Sequence, residues 1–366
     1  MSIKGYKCPS CGGNLVFNSD TQKLQCPSCG NEIDMDEIQQ CAEVVESSDE
    51  QEDTNEGKKD SQEDPKEWEV KEVDGKVIYT CPSCGGEVEA DQTTAATKCP
   101  YCDSPLILPG QVSGEFRPDL IIPFQLDDKD AKEAYQKFCK GKRLLPKMFQ
   151  SDQRLKEIKG IYVPFWLYNC KVEGSMKFDA QKTKTWRDSD YEYTKTDFYL
   201  VTRYGEVYFE HVPVDGSAEM ADEYMESIEP FEIDQAVPFQ EGYLSGYEAI
   251  KYDQSRGECW DRAEKRIDTT FADVLRNSVN TYQYSSISSK GFTASYSNII
   301  VKYVLMPVWV LNVKYKDKMY HFAMNGQTGK MTGILPIDWK LFWKYTLGIF
   351  AGSSLITYIL MLIFLL

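Results

Sequence analysis

The sequence predicts a multidomain chain: two small β ribbons, then an α+β region with an internal repeat, then one C-terminal transmembrane helix. Three observations carry this prediction. Eight of the twelve cysteines fall in four Cys-x-x-Cys pairs. The pattern apolar-x-Pro-apolar-Trp-apolar-x-Asn occurs twice in the long middle part, as "IYVPFWLYN" (Ile161–Asn169) and "VLMPVWVLN" (Val304–Asn312). The final 22 residues, Tyr345–Leu366, carry no charged side chain. The expected boundaries are a first ribbon over residues 1–40, a disordered acidic linker over 41–76 and a second ribbon over 77–110. The α+β region with two related halves covers 115–338, and the membrane tail anchor 339–366.

The ribbons come first. Cys8, Cys11, Cys26 and Cys29 have the spacing C-x2-C-x14-C-x2-C, and Cys81, Cys84, Cys99 and Cys102 repeat it. Two knuckles joined by a hairpin can bring four thiolates around one ion. Zinc prefers such a soft tetrahedral set. Units this small bury little apolar surface, so the metal supplies much of their folding energy. The two zinc ribbons are expected to hold two structural Zn2+ ions, because four thiolates leave no open position for chemistry. An iron site uses the same ligands, and spacing does not distinguish it. The pairs lack the helix start that a thioredoxin-like redox site needs. The N-terminus "MSIKGYKCPSC" has no apolar core of a signal peptide. A cytosolic start favours metal thiolates over disulfides.

The segment Ala42–Gly75 holds fourteen acidic and four basic residues. Such a segment cannot offset its chain entropy by burial, and reads as a disordered acidic spacer. The whole chain has a formal charge of −16. That sign disfavours a phosphate backbone as main partner, since binding there needs clustered Lys and Arg.

Within the α+β region, "DFYLVTRY" and "GEVYFEHVPV" alternate as two half-buried strands. "DDKDAKEAYQKFCKG" predicts a helix with Asp127 or Asp128 as N-cap, an apolar stripe at Ala131, Ala134, Tyr135 and Phe138, and a stop at Gly141. A longer helix is expected over Glu258–Val279, with Trp260, Ala263, Ile267, Phe271 and Val274 on one face. "IIPFQL" at Ile121 and "AVPFQE" at Ala236 are strand starts that precede the two helices and suggest two related halves. Trp166 and Trp309 are expected to anchor the core. Asn325-Gly326 should supply the positive φ angles of a tight hairpin. His211 and His321 read as partly buried structural residues, and Cys139, Cys170 and Cys259 as small core residues. No catalytic residue is assigned, and no enzyme activity is expected.

At 1.5 Å per residue, the apolar stretch from Tyr345 spans about 33 Å, close to the hydrocarbon core of a bilayer. Trp339, Trp343 and Tyr345 suit the interfacial belt, and Lys340 and Lys344 a cytoplasmic flank. The expected location is therefore the cell membrane, with one pass and the bulk of the chain in the cytoplasm.

Paired "CPSCGG" knuckles, an acidic linker, "YVPFWLY", "VPVDGS", "IEPFEID", "AVPFQEGYLSGYEAIKYD" and a terminal span follow one another in this order. Together they resemble bacterial zinc-ribbon (TFIIB-type ribbon-like) membrane proteins of the YdjG type. The resemblance covers nearly the whole chain. It implies a membrane platform that recruits a phage shock protein A-like and a flotillin-like protein during envelope stress. It transfers the eight cysteine ligands and no others. The expected function is a non-enzymatic adaptor. A nucleic-acid-associated ribbon protein, or a membrane-bound enzyme with a site in the α+β region, are the alternatives. The first predicts salt-sensitive binding to DNA or RNA, and the second a deep pocket with shifted carboxylates or histidines.

Overall fold

The computed structural model of the protein describes residues 5–37, 72–73, 76–81 and 83–365. Most of the acidic linker, and Cys41, lie outside the described residues. The first ribbon is a three-stranded antiparallel sheet of β1 (Val16–Asn18), β2 (Lys23–Gln25) and β3 (Glu32–Ile33). The second begins with β4 (Glu72–Val73), inside the segment expected to be linker. It continues through β5 (Lys76–Thr80), β6 (Glu87–Asp91), β7 (Thr94–Lys98) and β8 (Pro105–Ile107).

The body is built on a ten-stranded mixed sheet. Its own elements are β9 (Leu120–Ile121), α1 (Asp128–Cys139), β10 (Lys159–Arg187), β11 (Glu192–Asp215) and α2 (Asp222–Ser227). These are followed by β12 (Val237–Pro238), β13 (Glu248–Ile250), α3 (Trp260–Asn277) and β14 (Ser286–Tyr315). The chain then forms β15 (Lys318–Asn325), β16 (Met331–Gly333) and α4 (Trp339–Leu365). The spatial order is β12-β9-β14-β10-β13-β7-β8, with β11 on β10, and β15 and β16 beside β14.

The two Pro-Trp motifs pair with each other. Ile161 faces Val308 and Phe165 faces Val304 in the antiparallel β10–β14 ladder. Each motif strand takes one short parallel strand at the same register. Leu120 and Ile121 pair with Val304 and Leu305, while Glu248 and Ala249 pair with Ile161 and Tyr162. The partner of the first motif is thus β13, whereas the "AVPFQE" segment, read as the counterpart of "IIPFQL", forms β12 and lies beside β9.

Further contacts occur twice. The Trp166 indole donates to Gln254 O at 2.9 Å, and the Trp309 indole to Leu126 O at 3.3 Å. The Gly216 amide donates to Pro164 O and the Gly326 amide to Pro307 O, both at 2.8 Å. The carbonyls of those two glycines each accept two amides, from Asp253 and Gln254 and from Gln125 and Leu126. Asp127 and Asp130 form a capping box at α1, and Ser255 and Glu258 exchange bonds at the turn leading into α3. A capping box satisfies amides that a helix start leaves without partners. Both tryptophans are buried, as expected of core anchors.

Three local readings need correction. β11 is one strand, not two. Gly205 does not break it but pairs with Gly174 across the ladder. A Cβ on Gly174 would lie 2.9 Å from Phe271, and one on Gly205 would lie 2.8 Å from Leu275, so these glycines let α3 lie close to the strands. On α3 the apolar face continues to Leu275, while Val274 is exposed. At the β15–β16 turn neither Asn325 nor Gly326 has a positive φ; Gly329 has, at 75°. The Asn325 side chain instead holds the turn. It accepts from the amides of Gln327 and Thr328 and donates to Ile228 O and Pro230 O.

The helix α4 is long and apolar enough to cross a membrane, with a mean hydropathy of 2.1, and none of its apolar window is buried against the protein. Its first turn is tied to the body, where the Asp338 amide donates to Leu144 O and its carboxylate accepts from the Lys340 amide.

Candidate metal centres

Each Cys-x-x-Cys pair folds as the same knuckle. The amide of the first cysteine donates to a carbonyl five residues on, and its own carbonyl accepts an amide four residues on. This holds at Cys8, Cys26, Cys81 and Cys99. Closing so tight a loop requires a left-handed residue just after the second cysteine. Gly12, Gly30 and Gly85 supply it with φ of 69°, 75° and 74°. The fourth knuckle uses Asp103, at φ 61°. Asp is one of the few non-glycine residues that visit this region.

The knuckles meet in two tetrads, and in each the four sulfurs lie within 4.8 Å of one another. Cys8 Sγ is 3.7 Å from Cys29 Sγ, and Cys11 Sγ is 3.4 Å from Cys26 Sγ. In the second tetrad Cys81–Cys102 and Cys84–Cys99 are both 3.7 Å apart. A tetrahedral ion with bonds of about 2.3 Å to sulfur has ligands about 3.8 Å apart. The cavity therefore fits such an ion. Among the described residues no disulfide joins any of these eight cysteines. All eight residues singled out by their spacing are brought together as two groups of four.

The electrostatics suit a cation. Burial opposes ionisation of Cys8, but the amides of Ser10 and Cys11 aim at its sulfur and bring its pKa down to about 6. The Ser104 hydroxyl and amide bring Cys102 down to about 6 as well. The Gly13 amide favours a Cys11 thiolate, but the neighbouring thiols push that group up to about 12. The Gly86 amide likewise favours a Cys84 thiolate, but the same crowding raises that group to about 12. Four thiolates cannot share so small a space without a cation to compensate them.

The tetrads are not isolated. Asn14 Nδ2 donates to Ser104 Oγ at 2.7 Å, and Lys7 Nζ to Ser83 Oγ at 3.1 Å, which joins one ribbon to the other. Ser104 Oγ also lies 3.1 Å from Cys102 Sγ. Both ribbons sit on one stretch of the body, Phe239–Lys251. Phe17 of the first ribbon packs edge-on to Tyr243 at 5.2 Å, donates its amide to Ser245 O and lies 6.4 Å from Tyr247. Ser245 Oγ donates to Leu15 O at 2.6 Å. In the second ribbon, Ala96 pairs with Ala249 and Thr94 with Ile250, so β7 and β8 extend the main sheet. The "FQEGYLSGYEA" stretch is thus the seat of both ribbons. Its tyrosines and small residues at close spacing were the only signal for this in the sequence.

The two histidines part company. His211 is half-buried at a bulge with φ 56°, and its amide donates to Asn169 Oδ1. His321 is exposed rather than partly buried, with Nδ1 2.7 Å from Asn312 Oδ1. Cys139, Cys170 and Cys259 are buried, as expected.

Two closed four-cysteine ribbons seated on an α+β body with, among the described residues, one apolar, unburied helix define a ribbon protein with a candidate membrane span. The chain is 30% identical over 353 residues to the uncharacterized protein YdjG of Bacillus subtilis (strain 168), covering 96% of each sequence. The chain belongs to the YdjG family. No family model and no solved structure matches it.

Proposed function

We propose that the protein is a non-enzymatic, membrane-anchored zinc-ribbon adaptor that brings cytosolic proteins to the bilayer surface. The observation behind this reading is that both ribbons are fixed to the body that carries α4. A partner bound by either ribbon is then held near the membrane, where its effective concentration rises. The acidic balance favours protein partners over nucleic acid. The doubled contacts of the Pro-Trp strands support two related halves in the body. The resemblance nominates phage shock protein A-like and flotillin-like proteins as partners during envelope stress. With α4 as the membrane span, the ribbons would lie in the cytoplasm.

Affinity capture of the tagged full chain from membranes, compared with a chain lacking α4, tests this. The full chain should sediment with membranes and recover those partners. The shortened chain should remain soluble and leave them in the cytosol. Recovery of neither partner by the full chain would sink the reading. Metal analysis should give two zinc ions per chain, and iron in their place would overturn the zinc assignment.

A further inference from the structure

β10, β11 and β14 run on beyond the body as a three-stranded arm. The helix α3 covers one side of it through Ile267, Phe271 and Leu275. The opposite side of β11 presents Phe198, Leu200, Tyr204 and Tyr208, which are 74, 61, 80 and 65% exposed. All four occupy even positions and so share a face. Among the described residues, β11 pairs with β10 and with no other strand, so its second edge is open. An open edge beside exposed apolar residues is a template for another strand. No proline interrupts β11 before Pro213.

We propose that β11 is a homodimer interface, in which two copies of the chain pair antiparallel along this edge with Leu200 on the two-fold axis. The residue pattern selects both the occupant and the register. Directly opposed residues share a face, so the sheet admits only registers that pair even with even and odd with odd positions. With Leu200 on the axis, Arg203 of each copy faces Asp197 of the other. Tyr199 then faces Val201, Tyr193 faces Val207 and Tyr204 faces Thr196. These are aromatic and β-branched pairs of the kind that stabilise sheets. No like charges oppose each other between Glu192 and Tyr208. Moving the axis to Tyr199 sets Arg203 against Lys195, and moving it to Val201 sets Glu192 against Glu210. Thr202 on the axis leaves Arg203 and Asp197 without opposed charges. The selected pairing runs along roughly 55 Å of edge, at about 3.3 Å per residue. It is isologous, so it closes as a dimer and does not propagate.

The test uses the full chain in detergent micelles, with protein mass measured by light scattering across a dilution series. The wild-type chain should be a dimer. Arg203→Asp and Asp197→Arg should each weaken dimerisation at least tenfold, and the double exchange should return it to within about threefold of wild type. Unchanged zinc content and circular dichroism establish that each variant is folded. In membranes, a photo-crosslinking residue at Leu200 should capture a second copy of the chain. A monomeric wild-type chain at tens of micromolar, single variants that dimerise normally, or capture of a different protein at Leu200 would each overturn the proposal.

Discussion

Asp103 stands where the other three knuckles have glycine, and it shows what the cysteine turn demands of its backbone. A left-handed conformation costs a residue with a Cβ about 1–2 kcal/mol. Asp103→Gly should therefore stabilise the second ribbon by up to about 1 kcal/mol, and Gly12→Ala should destabilise the first by about 1–2 kcal/mol. Denaturant titration of the zinc-loaded chain would show both, and the opposite order would refute this account of the knuckle. Asp215 makes a different demand. It is 2% exposed, its Oδ1 meets Arg262 at 3.1 Å and its Oδ2 has no hydrogen-bond partner among the described residues. Burial pushes its pKa from 3.8 to about 6, against the pull of Arg262 and with the help of Asp222. The folded state thus holds this proton more tightly than the unfolded chain. Its contribution is fully present below about pH 4 and is lost as pH rises through about 6, a cost on the order of 3 kcal/mol at most. Asp215→Asn should flatten that decline. If the pH dependence of stability between 4 and 7 is the same in wild type and variant, the assignment to Asp215 fails.

At the scale of elements, α3 on the arm is the most informative contact. Its stripe was legible because apolar residues recur with the helical period, and only the last position slipped from Val274 to Leu275. The strands beneath it were less legible. The two strand-like runs either side of Gly205 belong to one strand, because Gly205 pairs with Gly174, a residue 31 positions away in the sequence. Phe271 fills the space these glycines leave, and it is fully buried. Phe271→Ala should cost about 3–5 kcal/mol, since it removes a large side chain from a site whose backbone cannot collapse. Gly174→Ala should also destabilise, by about 1–3 kcal/mol, because its Cβ would lie 2.1 Å from Thr293 O. If Phe271→Ala melts like wild type, α3 does not seat on the arm in this way; if Gly174→Ala does, β10 and β14 do not approach this closely at Thr293.

For the whole molecule, the cysteine spacing disclosed the two tetrads in full, because four ligands around one ion impose a local pattern. It did not disclose that the ribbons are seated on the body. That seat depends on Tyr243, Ser245 and Tyr247, which lie more than 200 residues from the first tetrad and have no periodic signature. The contacts form a chain. Phe17 meets Tyr243 and Tyr247, and Tyr247 stacks on Phe124 at 4.1 Å. Phe124 in turn packs against Tyr162 and Trp309 in the body. An ion held by the first tetrad would keep Phe17 in place, so metal removal should reach the body core. Chelation of the full chain in detergent micelles should alter the near-ultraviolet circular dichroism of the buried aromatics and lower the melting temperature of the body. Ribbons hung freely from a flexible acidic segment would leave both signals unchanged on chelation. Cys8→Ser should reproduce the effect with the second tetrad still loaded, because the Phe17 contacts belong to the first ribbon alone.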